Sequence, residues 1–322
     1  MGRVLLFVAF ASVILVGSLC SAYQVDPDLP EYVTVSGVSG SLKSVGSDTM
    51  NNAMALWAEG FRSLYPNVKI AVEGKGSSTA PTALIEGTAQ FGPMSREMKS
   101  NEIDAFEKKF GYKPAVIRVA VDALAVFVNR DNPLKCLTLK QLDAIFSPTR
   151  KGGFAKDIRS WGDLGLAGDW ANKRISVYGR NSASGTYGYF KEAALFQGDF
   201  KNSVKEQPGS SAVVQAIATD KYAIGYSGIG YKTPDVKLIP LAIEEGKCFE
   251  ANPENTYEGE YPLARFMYVY FNKNPNDRLN PLMAEFIKYL LSRDGQTAVI
   301  RDGFYPVSRV LADEDLRSIG IK

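Results

Sequence analysis

Three segments of the chain follow one pattern: a short run of β-forming residues, a turn of small hydroxylated residues, then apolar residues at helical spacing. In the first, Leu42 to Val45 leads into Gly46-Ser47-Asp48-Thr49, and Met50, Met54, Trp57, Phe61 and Leu64 then share one helical face before Pro66. The second passes from Lys69–Glu73 through Gly74-Lys75-Gly76-Ser77-Ser78-Thr79 into a short helix through Leu84 and Ile85, with Pro81 accommodated in its first turn. The third passes from Ile175–Gly179 through Arg180-Asn181-Ser182-Ala183-Ser184-Gly185-Thr186 into a helix from Tyr187 to Leu195. Ser or Thr is expected to open each helix.

Two further β-rich runs, Val116–Asn129 and Phe266–Asn272, end alike. Val126-Phe127-Val128-Asn129 and Val269-Tyr270-Phe271-Asn272 each meet a basic residue and then Asn-Pro. Either they cross side by side between two lobes or they are unrelated strands with similar exits. Between them lie a helix from Thr138 to Phe146, a loop around Trp161, the third turn and the run Ala223–Ser227. After them, Leu282, Met283, Phe286, Ile287, Leu290 and Leu291 give a helix with one buried face. Strands alternating with helices predict open α/β sheets, whose ligands sit at the carboxyl ends of strands. Residues 23–40 show no period and read as an N-terminal extension.

Residues 1–22 carry Arg3, an apolar run from Val4 to Val16 and a small-residue stretch ending at Ala22. This is the pattern of a cleaved secretory signal. The run is shorter than the ~20 residues of a spanning helix, which disfavours a retained anchor. Leu19 immediately before Cys20 reverses the order a lipoprotein signal needs. The chain is therefore expected to be exported, and Cys136 and Cys248 remain in the mature protein. In an oxidising compartment two such cysteines predict one disulfide, with two separate buried thiols as the alternative.

Composition narrows the chemistry. The 37 basic and 35 acidic residues of the 322 give a net charge of +2, so no global field is available to hold a nucleic-acid backbone. There is no histidine. Ser-His-Asp and Cys-His catalysis and His-ligated zinc are thereby excluded. The glycine-rich turns lack the third glycine of a dinucleotide fingerprint and contain no phosphate-binding GxxxxGK[ST] loop. Each hydroxyl turn, taken singly, reads as a helix cap. Their clustering reads differently: Ser77-Ser78-Thr79 and Ser182/Ser184/Thr186 supply more donors than capping uses, the latter beside Arg180. Converging helix N-termini with an arginine can hold a multivalent oxyanion without a metal or other cofactor.

The motifs Val45-Gly46-Ser47-Asp48-Thr49-Met50, Gly76-Ser77-Ser78-Thr79, Phe91-Gly92-Pro93-Met94-Ser95-Arg96 and Gly179-Arg180-Asn181-Ser182-Ala183-Ser184-Gly185-Thr186 occur in the order found in a known family. The chain resembles the periplasmic phosphate-binding proteins of ATP-driven uptake systems, over nearly all of its mature length. The resemblance implies an α/β, two-lobed type II periplasmic-binding-protein fold with a ligand cleft between lobes. Lobe I would comprise residues 41–121 and 265–322, and lobe II residues 122–264. It implies a monomer that captures inorganic phosphate in the periplasm and passes it to an ABC-type membrane permease, without turnover. Carried over by residue, Ser47, Asp48, Thr49, Ser77, Ser78 and Ser95 would bind from lobe I, and Arg180, Ser184, Gly185 and Thr186 from lobe II.

Two positions depart from the family pattern. Ser95 stands where an aspartate often accepts the proton of dibasic phosphate, and Asp48 is the first candidate to replace it, with Glu73, Glu97 and Asp122 next. Ser182 stands where an acid often partners the arginine, so Arg180 is either less neutralised or paired elsewhere. Arg96 reads as a ligand contact or a structural partner of a carboxylate. A secreted phosphohydrolase or adhesin on the same scaffold, and a binder of sulfate or molybdate, are the competing readings.

Overall fold

The computed structural model describes residues 24–321, so the signal segment expected over residues 1–22 lies outside the described residues. Strand β1 (Gly40–Gly46), helix α1 (Asn51–Leu64) and strand β2 (Val68–Gly74) form the first unit, with β1 and β2 parallel. The apolar face read from the sequence is the buried one. Met54, Trp57 and Phe61 of α1 pack into the core, and Trp57 Nε1 donates to the Gly295 carbonyl at 2.7 Å. Helix α2 (Ala80–Glu86), β3 (Phe91–Met94) and α3 (Ser100–Phe110) follow.

The long run becomes β4 (Ala115–Asn129). Then come β5 (Leu137–Thr138), α4 (Leu139–Phe146), β6 (Ser176–Arg180), α5 (Gly185–Ala193), β7 (Lys205–Gln207), α6 (Ser210–Thr219), β8 (Ala223–Gly228), β9 (Val236–Leu238), β10 (Leu241–Ala242) and α7 (Pro253–Tyr257). Strand β11 (Ala264–Phe271) and helices α8 (Pro281–Leu290), α9 (Arg293–Arg301) and α10 (Arg309–Ser318) complete the described chain. Thr138 caps α4 by accepting from the Gln141 N–H, in a reciprocal capping box.

Among the described residues nine strands form one sheet in the order β2-β1-β3-β11-β4-β8-β6-β7, with β9 also on β4. Strands β4 and β11 lie side by side and antiparallel, so their similar exits point to opposite ends of the molecule. Residues 115–123 of β4 pair with β11, and residues 124–128 pair with β8. One strand thus serves both halves of the sheet. A register irregularity falls between Met267 and Tyr268 of β11.

Cys136 and Cys248 form a disulfide with a Cα–Cα separation of 6.2 Å, beside the short parallel pair β5 and β10. Residues 24–39 have no regular structure yet are docked: Leu29 is fully buried, Pro30 accepts from the Arg293 N–H at 2.8 Å, and the Tyr32 hydroxyl donates to Glu285 at 2.8 Å. Among the described residues no helix is long and apolar enough to cross a membrane.

Candidate functional site

All three hydroxyl turns lie at the carboxyl ends of parallel strands, after β1, β2 and β6, and they meet across the sheet. The expectation that Ser or Thr opens each helix is corrected for α1, while Thr79 and Ser184 stand at the N-caps of α2 and α5. Helix α1 starts from Met50, and the single 3₁₀ turn Ser77–Thr79 starts from Gly76; neither has a side-chain cap. Helix α2 likewise takes no side-chain cap from Thr79. Only Ser184 caps, accepting from the Tyr187 N–H at 3.3 Å. The hydroxyls of Ser47, Thr49 and Ser77 are thus not spent on helix ends, which removes the ordinary explanation for their presence.

All three are buried, and Thr49 and Ser77 meet hydroxyls contributed by other segments. Thr49 Oγ1 lies 2.8 Å from Thr186 Oγ1 and 3.3 Å from Ser210 Oγ, and Ser77 Oγ lies 3.3 Å from Ser95 Oγ. Gly185 sits against this last pair: a β-carbon there would fall 2.2 Å from Ser77 Oγ and 2.6 Å from Ser95 Oγ. Gly76, at φ +105°, faces the Ala183 carbonyl just as closely. Ser78 is used as a strut, its N–H donating to Ala183 at 3.1 Å and its hydroxyl accepting from Arg96 Nη2 at 3.3 Å. Ser47 Oγ is buried without a partner among the described residues.

The direction of these hydrogen bonds gives the site its chemistry. Ser77 Oγ accepts from the Ser95 N–H at 3.0 Å, Thr186 Oγ1 from Arg265 Nη2 at 2.9 Å, and Ser210 Oγ from Arg180 Nη1 at 2.7 Å. A hydroxyl whose lone pair is taken by a fixed N–H must turn its own proton elsewhere. The result is a set of O–H donors held by two arginines, suited to an anion whose oxygens accept.

Arg180 is almost wholly buried and its Nε has no partner among the described residues. Burial pulls its pKa below the usual arginine value, while the nearby Asp48 carboxylate opposes that shift. Asp48 Oδ2 lies 3.1 Å from Arg180 Nη2 and accepts from the Ser210 N–H at 2.9 Å. The acid missing at Ser182 is therefore supplied by Asp48, from the other side of the sheet. The Tyr231 hydroxyl donates to the carbonyls of Asp48 and Thr49, and burial raises its pKa.

Three contributors escaped the sequence reading. Arg265 of β11 donates to the Ser95 carbonyl at 2.7 Å as well as to Thr186, and it is anchored by the fully buried Asp122 at 2.7 Å. Ser210 opens α6, and Tyr231 closes the edge; the Pro208-Gly209-Ser210 sequence before an apolar run was the available signal for the former. The other acids are committed: Glu73 to Lys43 and Lys75, Glu97 to the Tyr268 hydroxyl, and Asp122 to Arg265 and the Ile229 N–H. Arg96 forks onto Glu102 at 2.7 and 2.8 Å, which accounts for it as a structural residue.

Two α/β halves joined by antiparallel strands, with glycine-rich turns meeting between them over buried arginines, define a cleft-type binding protein. Residues 33–294 match the PBP superfamily domain. The phosphate-binding protein PstS of Pseudomonas aeruginosa is 56% identical over 307 residues, covering 95% of this chain and 95% of that protein. PstS of Staphylococcus epidermidis is 29% identical, over 81% of this chain and 77% of its own length. A solved structure from Clostridium perfringens, described as a phosphate ABC transporter substrate-binding protein with bound phosphate, is 25% identical with a TM-score of 0.71. It covers 84% of this chain and 100% of its own. An ABC-type phosphate transport receptor from Vibrio cholerae, 23% identical, shares the fold with a TM-score of 0.64, over 83% and 100% of the two chains. The chain belongs to the PBP superfamily and, within it, to the PstS family of phosphate-binding proteins. Its fold is the two-lobed type II arrangement that the sequence motifs resemble.

Proposed function

We propose that this chain binds one inorganic phosphate between its two halves and delivers it to an ABC-type permease for import. The observation that carries the reading is the hydroxyl cluster: Ser77, Thr186 and Ser210, from both halves, accept from the Ser95 N–H, Arg265 and Arg180 and so keep their own protons to donate. The name of the Pseudomonas relative and the bound phosphate of the Clostridium protein support the choice of anion. Ser47, Asp48, Thr49, Ser77, Ser78, Ser95, Arg180, Ser184, Gly185 and Thr186 are the proposed ligand shell, now with Ser210 and Arg265 added. Ser78 acts through its contacts with Ala183 and Arg96.

The proposed lobes are residues 41–121 with 265–322, and residues 122–264, behind a cleaved signal over residues 1–22. The working form is a periplasmic monomer that binds without catalysing turnover. In support, Ser77, Thr186 and Ser210 accept from N–H donors, and among the described residues no site hydroxyl donates to a carboxylate that would activate it as a nucleophile. Calorimetric titration of ligand-stripped protein lacking residues 1–22 tests the reading. One orthophosphate should bind per chain, more tightly than sulfate or molybdate. Absence of orthophosphate binding would overturn the proposal, and tighter binding of another oxyanion would reassign the ligand.

A further inference from the structure

A second cationic concavity lies away from the cleft. Its volume is about 600 Å³, within the range of small-molecule sites, and Ser176 at the start of β6 lines it. Arg180 stands at the opposite end of that strand, about 13 Å away at the usual strand rise. The wall carries Arg159, Arg174, Lys201 and Lys205 against one acid, Asp157. In a chain with a net charge of only +2, this concentration of positive charge is local.

The single acid is already neutralised. Asp157 Oδ1 meets Lys201 Nζ at 2.5 Å and its Oδ2 meets Arg159 Nε at 2.5 Å. Lys201 is held in the wall, donating also to the carbonyls of Ala144 and Ile158 at 2.7 and 3.0 Å. Arg174 makes no ion pair among the described residues, and Lys205 reaches Asp220 only at 3.9 Å, resting over the Tyr178 ring and donating to its hydroxyl at 3.2 Å. Exposed Ser203 adds a hydroxyl donor at the rim. The wall thus presents fixed cations behind and freer cations in front, with little aromatic surface for an organic ring. Its space corresponds to roughly twenty water volumes, more than a single tetrahedral anion fills.

We infer that this concavity is a binding site for a small polyanion carrying several phosphoryl groups, separate from the cleft. A condensed phosphate chain matches both the volume and the spread of charges. The inference does not depend on the identity of the cleft ligand.

The experiment uses sodium tripolyphosphate as the probe, titrated calorimetrically into the full mature chain with orthophosphate saturating. One further equivalent should bind, and about tenfold weaker binding is expected between 50 and 200 mM salt because exposed charges are screened. Combining Arg174→Ser with Lys205→Ser should weaken tripolyphosphate at least tenfold. The same variant should bind orthophosphate within twofold of wild type, which also reports that it has folded. No saturable tripolyphosphate binding below about 1 mM, or binding that the double variant leaves unchanged, would overturn the inference. So would tripolyphosphate binding that disappears when orthophosphate fills the cleft. If orthophosphate itself does not bind, the cleft reading fails alone, since sensitivity to Arg174 and Lys205 still locates the polyanion.

Discussion

Arg180 reaches Ser210 through one nitrogen and Asp48 through another, a geometry that depends on a planar fork. Lysine keeps the charge but presents one ammonium, so Arg180→Lys should weaken orthophosphate binding at least tenfold, about 1.4 kcal/mol, by calorimetry. Unchanged affinity would remove Arg180 from the site. Asp48 is the acid beside this fork, partly exposed at 27%, and one of its oxygens is fully engaged. Its other oxygen can take the proton of HPO4 while repelling sulfate, which has none. Asp48→Asn should therefore lower the phosphate-to-sulfate affinity ratio by about a hundredfold, roughly 3 kcal/mol, and a wild-type ratio would show that Asp48 serves only to hold Arg180 and α6. Asp302 gives a separate prediction. Burial pushes its carboxyl up to about 7, against opposing hydrogen bonds from Ala53 and Asn52 at the start of α1, and Oδ2 is unpartnered among the described residues. The folded protein then retains a proton that the unfolded chain releases above its ordinary value of 3.8, so stability falls as pH rises between about 4 and 7 and levels off above. Asp302→Asn should flatten that part of the urea-unfolding profile, by on the order of 2–4 kcal/mol between its ends. An identical slope in the variant would refute the assignment.

Between elements, α5 packs closely against the second hydroxyl turn at Gly185. Gly185→Ala would drive a methyl group into Ser77 and Ser95, so the third turn could no longer seat on the first half. Orthophosphate affinity should fall more than tenfold, while the urea midpoint moves little because the clash lies between halves rather than inside either core. Wild-type affinity in this variant would show that the seating seen here is not needed for binding. The same contact explains what the sequence could and could not disclose. Helix α1 and strands β1, β2, β4 and β6 were legible because their apolar periods are local and strong. Three of the site's turns were legible because small hydroxylated residues cluster in each. Arg265 was not: it stands just before the β-rich run Phe266–Asn272 and owes its role to Asp122, whose partner strand is fixed only by the fold. Ser210 was missed for the same reason, as its neighbours Arg180, Asp48 and Thr49 come from two other strand ends. The cap misread at α1 shows the converse. A hydroxyl before a helix is a local signal for capping, and at Thr49 tertiary contacts with Thr186 and Ser210 use it otherwise.

Across the whole molecule, the Cys136–Cys248 bridge closes a loop of sequence separation 112 and fastens β5 to the segment after β10. Chain-entropy arguments assign such a loop ~5 kcal/mol. Replacing both cysteines with serine should lower the thermal midpoint by several degrees and leave orthophosphate affinity within twofold, since the bridge touches no residue of the site. A large loss of affinity would mean that the bridge also sets the relation between halves. Strand β4 has a different consequence. Its first residues bond to β11 and its last to β8 and β9, so neither half can melt without stripping partners from a strand the other needs. The two halves are thus tied into one cooperative unit. Calorimetric and van't Hoff enthalpies should agree in a single transition, and the amides at the centre of β4 should be the last in either lobe to exchange with deuterium.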